Sequence, residues 1–593
     1  MAKLVYEGPK KIRANQLFRC RLTVAIEEEG EEIGPGGIIC IASRHTSDIG
    51  DAQCVAPEND NYIEFFASRG EVSLSFSPKP GDHPWNRGFS LVVSEGTLQK
   101  GDEVTVLMGG QRGYRSQSFS ETNSGFRLGI KQGADAPWVV SPKSEADMFE
   151  ITGADAARIK AYVKDVNKTG AHKTVCVKAE DTYSNIGSID GDLELGVYLD
   201  DTAYLGKIAV GKEGTSMGEF AVPDDGAWHA LTLMSDDGRF FSRTNQFGPS
   251  LAGGLHLYFG DIHSQSGLCD GTNSPEYLYG YAESAAGLDF ASVSSHDMEL
   301  DDADWEKIKK ATKAANEPHK FATFLGYEWS GDSKNGGDNN IYYSADDGEL
   351  VRNMVFRTEW CITDLPEEKN DLAETIGKIR QKTDGFMVIP HCGGRAANFD
   401  FYDPEAMSVF EIHSTHRNYE GIWREAVGRR LKLGLVGGSD DHRGMIGDCT
   451  TAARERYFSG HAGLVCVYAE ELTRKSIWEA IKKRHTYATN GPHMAINFTL
   501  GDHMMGDEVT LPAGSEMEFA FAALSHGFID RLEVDKNNDI AGRYCAGVWT
   551  NQVTDYRGVH KDSVQKGLTF YYLKVIQTDG GTAWSSPIFV NGE

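Results

Sequence analysis

Between residues 254 and 492, short apolar runs alternate with stretches of helical periodicity, and this alternation limits the possible folds more than any other feature. It is typical of β/α architectures, in which helices cover strands that are buried on both faces. The runs predicted as strands are LHLYFGDIH, DFASVSSH, KFATFLGYE, GFMVIPH, MSVFEIH, LGLVGGSD and AGLVCVYA. Helices are predicted for PEYLYGYAESAA, DADWEKIKKATKAA, DLAETIGKIRQKT, GIWREAVGRRL and TRKSIWEAIKKR. Strands mostly separated by helices indicate a closed or nearly closed barrel.

The residues on both sides of this region have a different pattern, with many glycines and short alternating runs. GFSLVVSEG and DEVTVLMGG before it, and MEFAFAAL and FYYLKVIQT after it, predict strands. A chain of 593 residues is also too long for one hydrophobic core. We therefore predict four domains: an N-terminal β domain (1–140), a sandwich-like second β domain (141–253), the β/α domain (254–495) and a C-terminal β domain (496–593).

The chain carries 59 basic and 87 acidic residues, a formal charge of −28. This balance argues against nucleic acid and anionic membranes as partners, because phosphate groups are bound by clustered Lys and Arg. No run approaches the ~18 consecutive apolar residues of a membrane helix, and the N-terminus lacks the apolar core of a signal peptide. The ten cysteines form no CxxC pair, which suits reduced thiols. We expect a cytoplasmic protein that acts on a small molecule; the sequence does not indicate its oligomeric state.

Six of the seven predicted strands end in residues that can bind a metal, and β/α barrels assemble their active sites at such ends. In chain order these residues are Asp261, His263, His296, Glu328, His391, His413, Asp440 and His442. Side chains on a strand alternate faces, so each D-x-H pair can direct two ligands at one centre. A single such histidine is more often a structural, hydrogen-bonded residue, but the whole set predicts two or three divalent cations, Zn, Mn or Fe. Glu328 is the predicted bridging carboxylate.

The motifs GDIHSQSGLCDG, VSSHD, GYEWSG, VIPHCGG, FEIHSTH and GGSDDHRG, in this order, resemble the polymerase and histidinol phosphatase (PHP) superfamily, and in particular its DUF3604 branch. The resemblance implies a distorted (β/α)7 barrel, flanked here by all-β domains, and phosphoester hydrolysis at a di- or trinuclear metal centre. By position, it implies one metal at Asp261, His263, Glu328 and Asp440, a second at Glu328, His391 and His413, and a third at Asp270, His296 and His442.

Two positions depart from the pattern of that family. Its first motif is usually H-x-H, whereas this chain has Asp261-Ile262-His263, which makes the first site harder and more anionic. Asp270 matches the aspartate of the family's S-D-G motif only loosely, because the intervening loop is longer. The third metal therefore depends on the least well matched ligand.

The predicted nucleophile is a metal-bridging hydroxide, because coordination lowers the pKa of water from about 15.7 towards 7. Arg395, Arg417 and Arg443 follow ligand-bearing strand ends and are predicted to stabilise negative charge on the reacting group. The alternative is that they form ion pairs at the rim. His416 is the predicted proton donor to the leaving group, the alternative being a plain loop histidine. The candidates for lining a substrate pocket are Gln265, Trp329 and Asn340.

Three hypotheses for function follow. The first is a metal-dependent hydrolase of a small molecule, with a phosphoester as the favoured substrate. The second keeps the same metal site but acts on a carbohydrate-linked, ester or amide substrate, by hydrolysis or metal-assisted elimination. The third is a non-catalytic β-domain binding protein with a structural metal barrel, and the presence of ligands at every motif position argues against it.

Overall fold

The structure is a computed structural model, and it describes residues 2–167, 170, 172–353, 360, 370–448, 461–545 and 553–593. Strands dominate these residues, and the five α-helices found among them lie between residues 275 and 482. None of these five helices has the length and apolarity needed to span a bilayer.

The N-terminal part consists of short strands in four sheets. Its strands are β1 (Lys3–Glu7), β2 (Lys11–Arg13), β3 (Leu17–Phe18), β4 (Cys20–Ala25), β5 (Ile38–Ser43), β6 (Ile63–Ala67), β7 (Ser73–Ser77), β8 (Arg87–Glu95), β9 (Glu103–Met108), β10 (Tyr114–Arg115), β11 (Glu121–Ser124), β12 (Arg127–Lys131), β13 (Val139–Val140) and β14 (Phe149–Thr152). The two larger sheets have the strand orders β1-β4-β9-β6 and β13-β12-β5-β8-β7. Residues such as Val24, Ile41 and Val106 fill one buried core between them.

Two loops of this part are attached at adjacent strand ends of one sheet. β5 and β8 are antiparallel neighbours, with Ser43 paired with Arg87. The loop that follows β5 and the loop that precedes β8 are therefore joined to the sheet at adjacent positions. They carry His45 and His83, which enter the candidate site described below.

The next part is also built from strands. They are β15 (Arg158–Val163), β16 (His172–Glu180), β17 (Leu193–Leu199), β18 (Ala203–Val210), β19 (Thr215–Ala221), β20 (Leu231–Ser235) and β21 (Phe241–Arg243). They form two sheets with the orders β15-β16-β19 and β18-β17-β20-β21. Val177 of the first sheet and Val197 of the second belong to the same buried core.

The central part mixes strands and helices. Its elements are β22 (His256–Asp261), α1 (Pro275–Ser284), β23 (Phe290–Ala291), α2 (Asp302–Ala315), β24 (Ala322–Thr323), β25 (Leu325–Ser330), β26 (Asp338–Tyr343), α3 (Leu372–Arg380), β27 (Phe386–Pro390), β28 (Val409–His413), α4 (Glu420–Gly428), β29 (Gly434–Gly437), β30 (Leu464–Ala469), α5 (Arg474–Lys482) and β31 (Thr486–Thr489). The five predicted helices are confirmed. Local chemistry sets their starts: Ser274 caps α1, and Asp371 and Glu374 form a capping box on α3.

The predicted (β/α)7 barrel is wrong. Among the described strands of the central part, only β22-β23-β24 and β28-β29 pair in parallel, whereas β22 pairs with β30 antiparallel and β25, β26 and β27 form an antiparallel sheet. The strands lie in three separate sheets, and no closed barrel exists among the described residues. The prediction failed because apolar runs show where strands lie but not which strands pair. β26, whose sequence DNNIYY gave no strand signal, separates two strands that a barrel would pair directly.

The C-terminal part contributes β32 (Ala495–Leu500), β33 (His503–Met504), β34 (Glu508–Leu511), β35 (Glu516–Leu524), β36 (Ile529–Lys536), β37 (Asp539–Cys545), β38 (Asp555–Ser563), β39 (Gly567–Gln577), β40 (Thr582–Ser585) and β41 (Ile588–Gly592). An eleven-stranded sheet with the order β24-β23-β22-β30-β31-β40-β39-β36-β37, to which β41 and β34 attach, joins this part to the central one. The division of the chain after residues 140, 253 and 495 stays a prediction.

Candidate metal centre

Glu328 lies in the middle of the candidate site. It is buried on β25, and its carboxylate faces three imidazoles. Oε1 lies 3.1 Å from Nε2 of His391, and Oε2 lies 3.3 Å from Nε2 of His263 and 3.2 Å from Nδ1 of His296. The side-chain amide of Gln265 donates to Oε2 at 2.6 Å. A carboxylate that meets imidazoles from three separate segments has the position expected of a bridging ligand.

The first group of ligands next to Glu328 consists of His263, His391 and Asp440. Their ligand atoms all lie within 4.8 Å of one another. Oδ1 of Asp440 is 3.3 Å from Nε2 of His263, and the rings of His263 and His391 are 4.4 Å apart. Asp440 has a φ of +50°, a left-handed conformation that aspartate adopts more readily than most residues other than glycine. Three ligands thus converge on one point.

The second group consists of Asp270, His296 and His442, and again the ligand atoms lie within 4.8 Å of one another. Oδ1 of Asp270 is 3.4 Å from Nε2 of His442 and 3.7 Å from Nε2 of His296. Because Nδ1 of His296 faces Glu328 and Nε2 faces Asp270, this imidazole links the two groups. The loosely matched Asp270 is therefore placed with the ligands that the resemblance assigned to it.

Hydrogen bonds at the far side of two rings fix their orientation. Both carboxylate oxygens of Glu411 lie 3.0 Å from Nδ1 of His263, and the carbonyl oxygen of Asp440 lies 2.9 Å from Nδ1 of His442. Each imidazole therefore turns Nε2 towards its group. Metal-binding histidines commonly have such partners, which set the tautomer and raise the basicity of the ligand. Glu411 was missed in the sequence, although it stands two residues before His413 on the same strand.

Neighbouring imidazoles outweigh burial in setting the pKa values of the carboxylates. Burial alone would raise the pKa of Glu328, but the charges of His296 and His391 hold it well below its usual range. In the same way, His442 and His296 lower the pKa of Asp270 to about 2 against the effect of burial. In turn, Glu328 and Asp270 raise the pKa of His296 against the effect of burial, which favours its protonated form. A divalent cation would displace that proton, since metal binding requires deprotonated ligands.

The donor atoms of the two groups fit a divalent cation. Oδ1 of Asp270 and Oδ1 of Asp440 are buried and accept no hydrogen bond. Leaving a buried acceptor unsatisfied costs about 1–3 kcal/mol, and more when it is charged. Imidazole nitrogen combined with carboxylate oxygen suits Zn, Mn or Fe. Both groups therefore have the chemistry of metal ligands.

His413 lies outside both groups. The pairing of β28 with β29 shifts register between Glu411 and His413, and this irregularity breaks the strict alternation of faces on which the prediction relied. Nε2 of His413 lies 3.1 Å from the carbonyl oxygen of His461, and the ring stacks on Trp584 at 6.3 Å. Burial lowers the pKa of His413 to about 4.

Asp261 is buried beneath the site rather than grouped with the ligands. Its carboxylate accepts backbone N–H groups from His263 at 3.1 Å, Ser439 at 2.9 Å and Gly447 at 2.8 Å. Burial raises its pKa to about 7. β22 ends at Asp261, so this residue and His263 do not share the face of one regular strand as predicted. The carboxylate instead ties together three segments of backbone around the site.

The three predicted arginines have different surroundings. Arg395 lines the cavity beside the metal ligands, and its Nε and backbone N–H donate to Asp338 at 2.6 and 2.7 Å. Arg417 is exposed and does not line the cavity. Arg443 is fully buried with its guanidinium 6.0 Å from the centre of the Phe119 ring, and it too is absent from the cavity wall. The structure thus brings one of the three to the site.

A cavity of about 160 Å³ opens beside the ligands. Its lining residues are His45, His83, Asp270, His296, Met298, Glu328, Gly394, Arg395, His416, Asp440 and His442. His416, the predicted proton donor, lies with Nε2 3.0 Å from Oδ2 of Asp440. Of the predicted pocket residues, Gln265 contacts Glu328, whereas Trp329 and Asn340 are buried outside this lining set.

His45 and His83 were missed in the sequence because they precede the central region by more than a hundred residues and belong to no recognisable motif. Nε2 of His83 lies 2.8 Å from Oε1 of Glu299, and Nδ1 of His45 lies 3.0 Å from Oδ1 of Asn86. The one available signal is that His45 closely follows the apolar run Ile38–Ser43, much as several central ligands follow apolar runs. The cavity is therefore shared by the N-terminal and central parts of the chain.

Residues 278–418 and 438–520 match the family model described as "Protein of unknown function (DUF3604)". An uncharacterised protein of Chlamydia pneumoniae is 24% identical over 376 residues, and one of Chlamydia trachomatis is 23% identical over 380. Each match covers 57% of this chain, and 57% and 58% of the respective relatives, so the chain aligns with little more than half of their length.

The solved structures that match are distant. A β-glucuronidase of Bacteroides uniformis is 9% identical and covers 98% of this chain and 74% of its own, but the TM-score is 0.17. The major pilin SpaA of Corynebacterium diphtheriae is 10% identical, covers 40% of this chain and 60% of its own, and has a TM-score of 0.18. Neither likeness carries an argument about this protein. The likeness to DUF3604 is confirmed for the central region, while membership of the wider PHP superfamily stays a prediction.

Proposed function

We propose that this protein is a metal-dependent hydrolase of a small molecule, with a phosphoester as its substrate class. One observation carries the proposal: buried carboxylates and imidazoles converge around Glu328 at the wall of an open cavity. A space of about 160 Å³ suits the reacting group of a small molecule. Ionisable groups with strongly perturbed pKa values in a cleft are characteristic of catalytic sites.

In this proposal, His263, His391 and Asp440 hold one cation, and Asp270, His296 and His442 hold a second. Glu328 contacts members of both groups and is the shared ligand. Such cations, when bound, activate water and polarise the oxygen of the group under attack. Neighbouring side chains fix the orientation of the ligands and form the rest of the site.

Two side chains on the cavity wall have roles beyond metal binding. Two hydrogen bonds to Asp338 fix Arg395, which is a permanent cation suited to a phosphoryl oxygen. Nε2 of His416 lies 3.0 Å from Oδ2 of Asp440, a contact that orients the ring so that a proton on its other nitrogen, Nδ1, can pass to a leaving group. Together with His45 and His83, these groups give the cavity the donors that an anionic substrate requires.

The first test counts metals. We expect purified wild type to retain at least two equivalents of Mn or Zn per chain after gel filtration, and His391→Ala to lose metal and activity together. His172→Ala is the matched control, because this histidine is exposed on β16 and away from the cavity. Less than one tightly bound equivalent in wild type, with no gain of activity on adding Mn or Zn, would refute the proposal.

The second test identifies the bond that is cleaved. Phosphate monoesters and diesters are compared with glycoside, carboxylic ester and amide substrates, with wild type and His391→Ala side by side. We expect turnover of a phosphoester that the variant lacks. Turnover confined to glycosides, esters or amides would keep the metal centre but replace the substrate class.

A further inference from the structure

We infer that His83, Asp270 and Glu299 form an additional divalent-cation site, which joins the N-terminal β part to the metal centre. The inference rests on the proposed function, because Asp270 is also a ligand of the second group. It adds a cation that no motif of the central region indicates. Of the residues that would hold this cation, His83 comes from the N-terminal part and Asp270 and Glu299 from two segments of the central part.

The geometry of the three side chains supports a shared ligand point. Nε2 of His83 lies 2.8 Å from Oε1 of Glu299 and 3.7 Å from Oδ2 of Asp270, and the ligand atoms lie within 4.8 Å of one another. Both carboxylates are almost completely buried, while the imidazole is about one third exposed. A cation at this point would therefore be reachable from solvent past the ring of His83.

The carboxylate of Asp270 is positioned to bridge. Its Oδ1 faces His442 and His296 of the second group, whereas its Oδ2 faces His83. Two cations can thus share Asp270, one at each oxygen, as happens in sites with paired metals. This arrangement parallels Glu328, whose two oxygens also face different imidazoles.

Glu299 supplies an independent indication of a ligand. Its Oε1 faces His83, but its Oε2 is buried and has no hydrogen-bond partner. An unsatisfied buried carboxylate oxygen is costly, and a cation bound at Glu299 would compensate that cost.

The surrounding contacts keep the two halves of the site together. Nη1 of Arg44 donates to the carbonyl oxygen of Cys269 at 2.9 Å, and the hydroxyl of Thr46 donates to that of Asp270 at 3.0 Å. The loop after β5 is therefore hydrogen-bonded to the backbone that carries Asp270. His83 approaches from the neighbouring loop, and its ring lies 5.2 Å from that of His45. One imidazole with two carboxylates suits Mn, Fe or Zn.

The test counts metals in the full-length chain after equilibration with Mn²⁺ and gel filtration. We expect His83→Ala and Glu299→Gln each to bind one equivalent fewer than wild type and to show a smaller rise in Tm on adding Mn²⁺. His45→Ala is the control, because this imidazole lines the same cavity but lies outside the group of three; it should retain the full count.

Retention of the full metal count by either variant, with a normal circular dichroism spectrum, overturns the inference. Glu299→Gln decides the question if His83→Ala does not fold, because the two residues come from different parts of the chain. Failure of the proposed function has a different signature. In that case wild type binds no metal that depends on His391, whereas failure of this inference alone leaves that metal in place.

Discussion

Two clusters of charged side chains among the described residues are balanced in different ways. In the lysine cluster, formed by Lys160, Lys178, Glu180 and Asp448, each carboxylate contacts both ammonium groups. In the metal centre, the cavity-lining residues that the structure describes include three carboxylates but a single permanent cation, Arg395. Histidines provide the remaining positive charge there.

This difference separates a structural network from a candidate site. Lysines neutralise buried carboxylates permanently, so the lysine cluster has no requirement for a further ion. Imidazoles neutralise carboxylates only while they are protonated, and in the neutral state they become metal ligands. Metal binding at the candidate metal centre would therefore exchange protons for cations, whereas the lysine cluster offers no such exchange.

The largest effect is expected when a lysine is removed from the lysine cluster. Lys178→Met leaves two buried carboxylates with one ammonium group fewer, and we expect a loss of about 3–5 kcal/mol in the free energy of unfolding. Urea denaturation measures this loss. Lys207→Met is the control, because Lys207 pairs with Glu194 on the surface, where such pairs contribute about 0–1 kcal/mol. Equal effects of the two substitutions would contradict the structural role of the cluster.

Substitution of Glu328 tests the other side of the comparison. Glu328→Gln keeps the size of the side chain but removes the charge shared by both ligand groups. We expect metal affinity to fall by about 100-fold, the upper range for groups that support a metal site, with less effect on unfolding than Lys178→Met. Isothermal titration with Mn²⁺ provides the measurement. Unchanged affinity would show that Glu328 is not a ligand.

Glu411→Gln sharpens the comparison further. Glu411 orients His263 without a place in either ligand group, so the substitution should weaken metal binding about 10-fold while the number of bound ions stays the same. The same titration distinguishes the two carboxylates. A fall in the number of sites would make Glu411 a ligand instead of a positioning residue.

The smallest expected effect is on the pH dependence of stability. Burial opposes ionisation of Asp448, but Lys160 and Lys178 outweigh it and hold the pKa below the unfolded value of 3.8. Its contribution is therefore complete above pH 3.8 and is lost as the pH falls towards the folded pKa. Between pH 5 and pH 3, we expect this carboxylate to account for about 1 kcal/mol of lost stability. Asp448→Asn should show a correspondingly smaller decrease in urea titrations; an identical decrease would refute the assignment.

Sequence periodicity predicted the elements whose formation depends on local chemistry. All five helices were found because capping residues and apolar spacing are encoded within each segment. Strand positions were also indicated, but strand pairing depends on residues far apart in the chain. The antiparallel insertion of β26 therefore escaped prediction, and the barrel with it.

Contacts between residues far apart in the chain also limited the prediction of the metal ligands. Seven of the nine predicted metal ligands lie in the groups around Glu328 and Asp270, although the strands nearest to them belong to three different sheets. Asp261 and His413 do not, since one lies where its strand ends and the other beyond a register shift. The role of His83 could not be predicted from the sequence, because it depends on a contact between distant parts of the chain.

The eleven-stranded sheet has a practical consequence for dissecting the protein. β31 of the central part pairs with β40, which lies almost a hundred residues later in the chain. A truncated protein that stops near residue 495 would expose the whole edge of β31, and an unprotected edge strand invites association with other chains. Truncated proteins made to study the central part should therefore keep residues 496–593, even though none of the described side chains in that range lines the cavity.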